Sequence, residues 1–301
     1  MATVRKSITD VSGWRLAGVE PTGLDPKLWL IDPADKWPWL FKPVPVLETA
    51  LSGEDWAEVI AADVAGFIGV PHAEARLAIR DGHRGCIVRK FMERGWEFQH
   101  GSSLLSEVVP DFDPQHPDRS GHTVVNIDRV LGPLSPPVAP DIPPELSAFG
   151  TFAGYLIFDT LIANQDRHSN NWGVLRPPPG LGSDTLAPSF DHGSSLGFNV
   201  PEAERERRLA KGSVAEWARK GWARQFERPR GSPRVLLRDL ADAALTRAGN
   251  VAQRHWQERV AAIDPPVVEA AASSVPGLSD VTASFVTQVI LANRELILEH
   301  S

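Results

Sequence analysis

Cysteine is nearly missing from this chain: Cys86 is the only one in 301 residues. A single thiol excludes an intrachain disulfide, a CxxC pair and a cysteine zinc cluster, and it reads as a small buried hydrophobe in a strand. The opening segment MATVRKSITDVSGW has no apolar stretch of secretory-leader length. No other run approaches the roughly 20 apolar residues that span a bilayer. The expectation is a mature, soluble chain in the cytoplasm. An excess of positive charge is missing too, since 31 Lys and Arg face 38 Asp and Glu, a net charge of −7. Phosphate neutralisation needs a basic face, so direct nucleic-acid binding is not expected, although a local basic patch stays open. No polybasic cluster or basic amphipathic helix of membrane-binding size is present, which argues against a lipid surface. No fixed-period repeat is visible.

What is there is ordinary in bulk: 42% hydrophobic and 23% charged residues, enough chain for one large domain or for two lobes around a cleft. KLWLID and WPWLFK are aromatic-rich alternating runs joined by PADK, the pattern of a hairpin. In SGEDWAEVIAADVAGFIGVP, Trp56, Val59, Ile60, Val64, Phe67 and Ile68 recur at helical spacing. Ser52 with Asp55 imitates a capping box, and Gly69 and Pro71 stop the pattern. HAEARLAIRDGHRGCIVRKF predicts a second hairpin turning at Asp81-Gly82. Residues 92–143 read as a Pro-rich connector with a little helix near 101–109. A helix begins at Pro144, and beyond residue 201 the chain is mostly helical, including VAEWARKGWARQF, RVLLRDLADAALTRAG and VTASFVTQVILANRELILEH. ERERRLAKG predicts a solvated helix face, with a substrate groove as the sharper alternative. The ten tryptophans suggest core and interface packing.

The chemistry concentrates in LIFDTLIANQDRHSNNWGVL, where an apolar helix empties into Asn164, Asp166, His168, Asn170 and Asn171. Buried polar groups without partners cost on the order of 1–3 kcal/mol each, so packing alone does not explain them. Asp166, Asn171 and Asp191, the last within DHG, have the order that phosphoryl transfer needs: a carboxylate for the acceptor's proton, then an amide and a carboxylate for magnesium. Positive charge for nucleotide phosphates must come from upstream. Lys42 ends WPWLFK, and Glu58 lies on the next helix where it can pair with it. The turn AGVEPTGLDPK, with Gly18, Gly23 and Lys27, could cover the phosphates, and the main chain near Val88 to Lys90 in CIVRKF could receive the adenine edge. The plain alternatives are Asx turns for Asp166, Asn171 and Asp191, a strand-end lysine for Lys42, and Glu54 or Asp55 in place of Glu58.

WLFKP, GEDWAEVIAADVAGFIGVP, NQDRHSNNWGVL and APSFDHGSSL, in that order over roughly residues 38–198, resemble the HipA-like kinases. That family is the bacterial toxin-related branch of the protein-kinase-like and phosphoinositide-kinase-like fold. The resemblance implies an α+β, two-lobed architecture with a small β-rich lobe at 1–95 and a larger helical lobe at 96–301 carrying the catalytic and metal loops. It implies ATP and Mg²⁺, with Asp166 like the catalytic aspartate, Asn171 and Asp191 like the metal residues, and Lys42 with Glu58 like the nucleotide lysine and its helix partner. His168 resembles the histidine of the DRH triplet that braces the catalytic loop in related lipid kinases. The expected activity is protein serine/threonine phosphorylation; a small-molecule or phosphoinositide kinase, and a nucleotide-binding pseudokinase, are the alternatives. Family toxins carry an N-terminal subdomain with no counterpart before Val11, which leaves an antitoxin partner open.

Overall fold

The computed structural model describes residues 5–20, 26–44 and 52–299. Its first third is a six-stranded sheet built from β1 (Thr9–Asp10), β2 (Arg15–Glu20), β3 (Lys27–Ile31), β4 (Pro38–Pro43), β5 (Ala75–Arg80) and β6 (His83–Arg89), with helix α1 (Glu54–Ile68) inserted after β4. The strand order is β1-β5-β6-β4-β3-β2, and only the β1–β5 pair is parallel. Both expected hairpins form. Asp81 and Gly82 take left-handed angles, φ +49° and +82°, between the paired Arg80 and His83, as a two-residue turn that follows the strand twist requires. The PADK turn closes through Lys36 N–H on the Asp32 carbonyl, 2.9 Å.

Alternation sorts the strands' side chains onto two faces. Leu77, Cys86 and Val88 join the α1 side chains in the main core, while Leu30, Trp39, Phe41, Ala78 and Ile87 form a smaller cluster on the other face. The Arg76 guanidinium covers the fully buried Trp39, 4.6 Å from its ring centre. The capping box at Ser52 does not form: the N-cap of α1 is Gly53, without a side-chain cap bond, and Asp55 turns away to Arg84, 2.7 Å. Gly69 ends the helix at φ +70°, as expected.

The connector holds more structure than its composition suggests: β7 (Glu97–His100), α2 (Gly101–Val108) and α3 (Val124–Leu131). Four-residue β7 pairs with β8 (Gly173–Arg176), which pairs with β9 (Thr185–Leu186), so a second, three-stranded sheet forms next in sequence to the polar run that ends at Asn171. Helix α4 (Ala148–Leu161), capped by the Ser147 hydroxyl, is buried along its whole length. Around it lie α5 (Glu202–Ala210), α6 (Val214–Ala218), α7 (Leu237–Ala248), α8 (Asn250–Ala261), α9 (Pro265–Ser273) and α10 (Asp280–Leu298). Gly154 of α4 lets the Trp256 indole of α8 lie against the main chain, and Trp256 Nε1–H donates to the Gly150 carbonyl, 2.9 Å.

Three expectations need correction here. The helix expected across VAEWARKGWARQF stops at Ala218, and residues 219–236 form a loop before α7. In ERERRLAKG, Arg207 and Arg208 pair with Glu204 on a solvated face, but Arg205 is buried and bonds Thr282 and the Gly197 carbonyl. Helix α10 is long and apolar enough, by length and composition, to cross a membrane, although more than half of it is buried inside this fold. The architecture is α+β, a β-rich N-terminal part followed by a helical C-terminal part.

Candidate active site

Lys42 stands in the last turn-ward positions of β4, opposite Cys86 of β6. Its Nζ lies 2.9 Å from Glu58 Oε2 and 2.6 Å from Asp191 Oδ1, joining the sheet, α1 and the DHG segment in one contact. Glu58 is fully surrounded: besides Lys42 it accepts the main-chain N–H of His192 at 3.1 Å and of Gly193 at 3.0 Å. Asp191 reaches Lys42 from a left-handed backbone, φ +63°, a conformation that aspartate tolerates better than most residues. Burial alone would push the Lys42 pKa down, but the charges of Asp191 and Glu58 outweigh it and hold the ammonium well above its ordinary value. The Lys42 charge likewise overrides burial at Asp191, keeping that carboxyl well below the usual carboxylate range. Burial pushes the Cys86 thiol well up, so it is no nucleophile.

The polar run after α4 finds partners for its buried groups. Arg167 grips Asp159 of α4 with two bonds, Nε to Oδ2 at 2.8 Å and Nη2 to Oδ1 at 2.7 Å. The same guanidinium donates to the Asn171 carbonyl, 2.8 Å, and to Ser189 Oγ, 3.0 Å. Ser189 in turn donates its O–H to Nε2 of His192, 2.7 Å, an imidazole that burial keeps neutral. Asn164 donates to Asp159 Oδ1 and accepts from the Asp166 N–H, while Asn171 donates its side-chain N–H to the Asp166 carbonyl, 2.8 Å. One buried ion pair thus ties the Asp166 loop to the Asp191 segment. Bracing of the loop runs through Arg167; His168 is half-buried at the cleft wall, its Nδ1 accepting the Asn170 N–H at 3.2 Å, and burial lowers its pKa.

Between the two parts opens a cleft of about 690 Å³. Lys27, Lys42, Val88, Lys90, His168, Asn171 and Asp191 all line it, together with Trp29, Leu40, Phe91, Met92, Phe98 and Phe190. Phe91 stacks on Phe190 with centroids 5.4 Å apart, and Phe98 meets both edge-on, an apolar wall of the kind that accepts a flat ring. Glu58 lies behind Lys42. Asp166 sits outside the lining, its Oδ1 taking a bond from Gln225 Nε2 at 2.7 Å.

The main-chain groups expected to meet a base need a correction. Val88 faces Leu40 within the ladder, Lys90 N–H bonds the Pro38 carbonyl at 3.0 Å, and the Lys90 carbonyl accepts Trp37 Nε1–H at 2.6 Å. These groups are engaged, and the next residues along the cleft are Phe91 and Met92. Gly18 is not in a loop over the cleft: it lies in β2 at a register shift and faces Trp29 of β3. Gly23 lies outside the described residues. Lys27 starts β3, 4.0 Å from Glu20.

Among the described residues no cluster of three His, Cys, Asp or Glu could hold a metal by itself. What faces the cleft is sparser, the Asp191 carboxylate and the Asn171 amide, whose nitrogen is engaged and whose oxygen is left as the donor. Such a set fits magnesium, which takes one or two carboxylates and fills its octahedron with phosphate oxygens and water. Sequence reasoning missed Arg167, Asp159, Ser189 and Gln225. A buried Asp in an apolar helix, eight residues before an Arg, was the available signal for the first two.

The HipA-like C-terminal domain family profile matches residues 19–260. No curated protein matches the chain. Among solved structures, the Helicobacter pylori proinflammatory kinase CtkA superposes with a TM-score of 0.73 at 17% identity, over 97% of this chain and 96% of that one. HipA of Shewanella oneidensis MR-1, solved with HipB and its operator DNA, superposes with a TM-score of 0.54 at 13% identity, over 95% and 68% of the two chains. At such identities the likeness is one of fold.

Proposed function

The chain belongs to the HipA-like C-terminal domain family, and from that premise we propose that it is an ATP- and magnesium-dependent protein serine/threonine kinase. The lobes divide near residues 95 and 96, and the cleft between them takes the nucleotide. The observation that carries the reading is the Lys42 ammonium bound at once by Glu58 and Asp191 inside that cleft. Glu58 and the two main-chain N–H groups that fix it hold Lys42 where it can meet nucleotide phosphates. Magnesium, when bound, would neutralise charge on the β- and γ-phosphates, and Asn171 and Asp191 are the residues that would hold it.

Asp166 accepts the proton of the acceptor hydroxyl as its oxygen attacks the γ-phosphorus and the bond to the β-bridging oxygen breaks, leaving ADP. Gln225 orients that carboxylate by one hydrogen bond. His168, in the cleft lining, serves as a neutral hydrogen-bonding group, consistent with its lowered pKa. Lys27 adds charge at the mouth, the aromatic wall of Phe91, Phe98 and Phe190 receives the base, and main-chain groups of Phe91 and Met92 take its edge. The reading is of a cytoplasmic enzyme. The HipA solved with HipB makes an antitoxin-type protein the partner class to test first.

Incubation with γ-labelled ATP and magnesium tests the activity. The expected result is label on the protein or on an added protein acceptor. Turnover only with an added metabolite or inositol lipid would replace it with a small-molecule kinase, and nucleotide binding without any transfer would make the chain a pseudokinase.

A further inference from the structure

One surface of the C-terminal part departs from the acidic balance of the chain. The loop between α6 and α7 is closed at its neck by Ala223 N–H on the Val235 carbonyl, 2.9 Å, and Leu237 N–H on the Gly221 carbonyl, 3.0 Å. Between those bonds the sequence WARQFERPRGSPR carries Arg224, Arg228, Arg230 and Arg234 against one acid, Glu227. Among the described residues Glu227 forms no ion pair with any of them; its carboxylate accepts the N–H of Gly121, 2.5 Å. Three of the guanidinium groups gather over Trp222, at 5.9, 5.3 and 5.1 Å from its ring centre for Arg224, Arg228 and Arg234. Elsewhere on the surface, arginines such as Arg76, Arg207 and Arg247 meet carboxylates within 2.7 Å. Like charges collected on an aromatic plate leave their planar forks for an anion from outside.

The loop's place is as telling as its charge. Gln225, between Arg224 and Glu227, is the residue that bonds Asp166, and Trp222 N–H reaches Gln165 Oε1 at 3.4 Å. Two further bonds, Glu227 N–H to the His122 carbonyl and Arg228 N–H to the Asp118 carbonyl, fix the loop against the segment before α3. None of these loop residues lines the nucleotide cleft. Through Gln225 the loop touches Asp166, outside the lining of the cleft, so an acceptor held by the loop lies beside that carboxylate.

We propose that this arginine loop docks the acceptor, and that the acceptor is a serine or threonine set in an acidic peptide segment; the inference rests on the kinase reading above. A short acidic segment fits better than a nucleic acid. Continuous polyanions usually engage six to ten phosphates, whereas this patch offers four cations.

The test uses the full chain with two fluorescent serine peptides that differ only in having glutamate or glutamine on both sides of the serine. Anisotropy at physiological ionic strength reads binding, and transfer from ATP reads KM and kcat. Three charge contacts at the surface acting together predict about tenfold tighter binding and about tenfold lower KM for the glutamate peptide, with kcat alike. The triple variant R224Q/R228Q/R234Q is expected to lose that preference while handling the glutamine peptide as the wild type does. Equal binding of the two peptides, or a preference that survives in the triple variant, overturns the proposal. So does a single-stranded RNA oligonucleotide that binds the loop more tightly than the glutamate peptide. Should no acceptor be phosphorylated at all, the kinase reading falls, and the anisotropy comparison, which needs no turnover, still decides for or against the loop.

Discussion

Lys42 shows what single residues contribute to this account. Its two carboxylate partners lie 16 and 149 positions away, and charge-assisted bonds of this kind are worth roughly 1.5–3 kcal/mol each. Lys42→Met is expected to weaken nucleotide binding by about 10- to 100-fold, as read by calorimetric titration. His122 gives a pH signature of a different kind. It is buried, its Nδ1–H donates to the Gln225 carbonyl, its Nε2 accepts from Trp172, and burial pushes its pKa down to about 4. The unfolded chain takes up this proton near pH 6.5 and the folded one only near 4. Stability is therefore complete above about pH 6.5 and falls as the pH drops toward 4, by about 3 kcal/mol from this residue. Thermal melts from pH 7 to 5 should show the decline, and His122→Asn should flatten it even if that variant is less stable at neutral pH. The meeting of Lys42, Glu58 and Asp191 was legible from residue type and order along the chain, and so was the place of Asn171 in the cleft lining, which Asp166 does not join. Gln225 was not, since a lone glutamine in a loop has no period and its partner is 59 positions away.

At the scale of elements, the joint between α4, the Asp166 loop and the Asp191 segment depends on the Arg167–Asp159 pair. Both side chains are buried, 3% and 1% exposed, so removing one leaves the other's charge stranded. Arg167→Ala is predicted to destabilise the fold by about 3–5 kcal/mol in urea titrations, and Arg167→Lys to recover only part, because an ammonium cannot bond Asp159, Asn171 and Ser189 together. A loss below 1 kcal/mol would remove the clamp from the account. The hairpins, α1 and α4 could be read from period and turn residues. Three-stranded β7-β8-β9 could not: its strands are two to four residues long and sit among loop-forming residues, so pairing partners far apart decide them. The helix expected through Gly221 fails for a comparable reason, as Trp222 bridges to Leu236 and the intervening arginines stay in the loop.

Across the whole molecule, the β-rich part is fastened to the C-terminal helices through residues that do not line the cleft. Arg259 of α8 donates to the Ile68 carbonyl at the end of α1, 3.0 Å, and pairs with Asp141, 3.0 Å. Lys6 adds a main-chain bond to Ser274 and an ion pair with Asp63 of α1. Gly69 sits under this joint with no room for a Cβ and with a left-handed backbone. Gly69→Val is predicted to destabilise the joint by about 2–4 kcal/mol and to split one cooperative unfolding transition into two. A single unshifted transition would contradict the joint's role. The division into a sheet-rich and a helical part was visible in the order of periodic patterns, whereas this fastening joins residues about 190 positions apart and left no local trace.

The central claim is tested most directly by measuring phosphoryl transfer from ATP by the wild type and by Asp166→Asn, with nucleotide affinity measured on the same samples. The account predicts a rate lower by about 10²- to 10⁴-fold with the nucleotide dissociation constant nearly unchanged. Transfer at the wild-type rate by Asp166→Asn would contradict it.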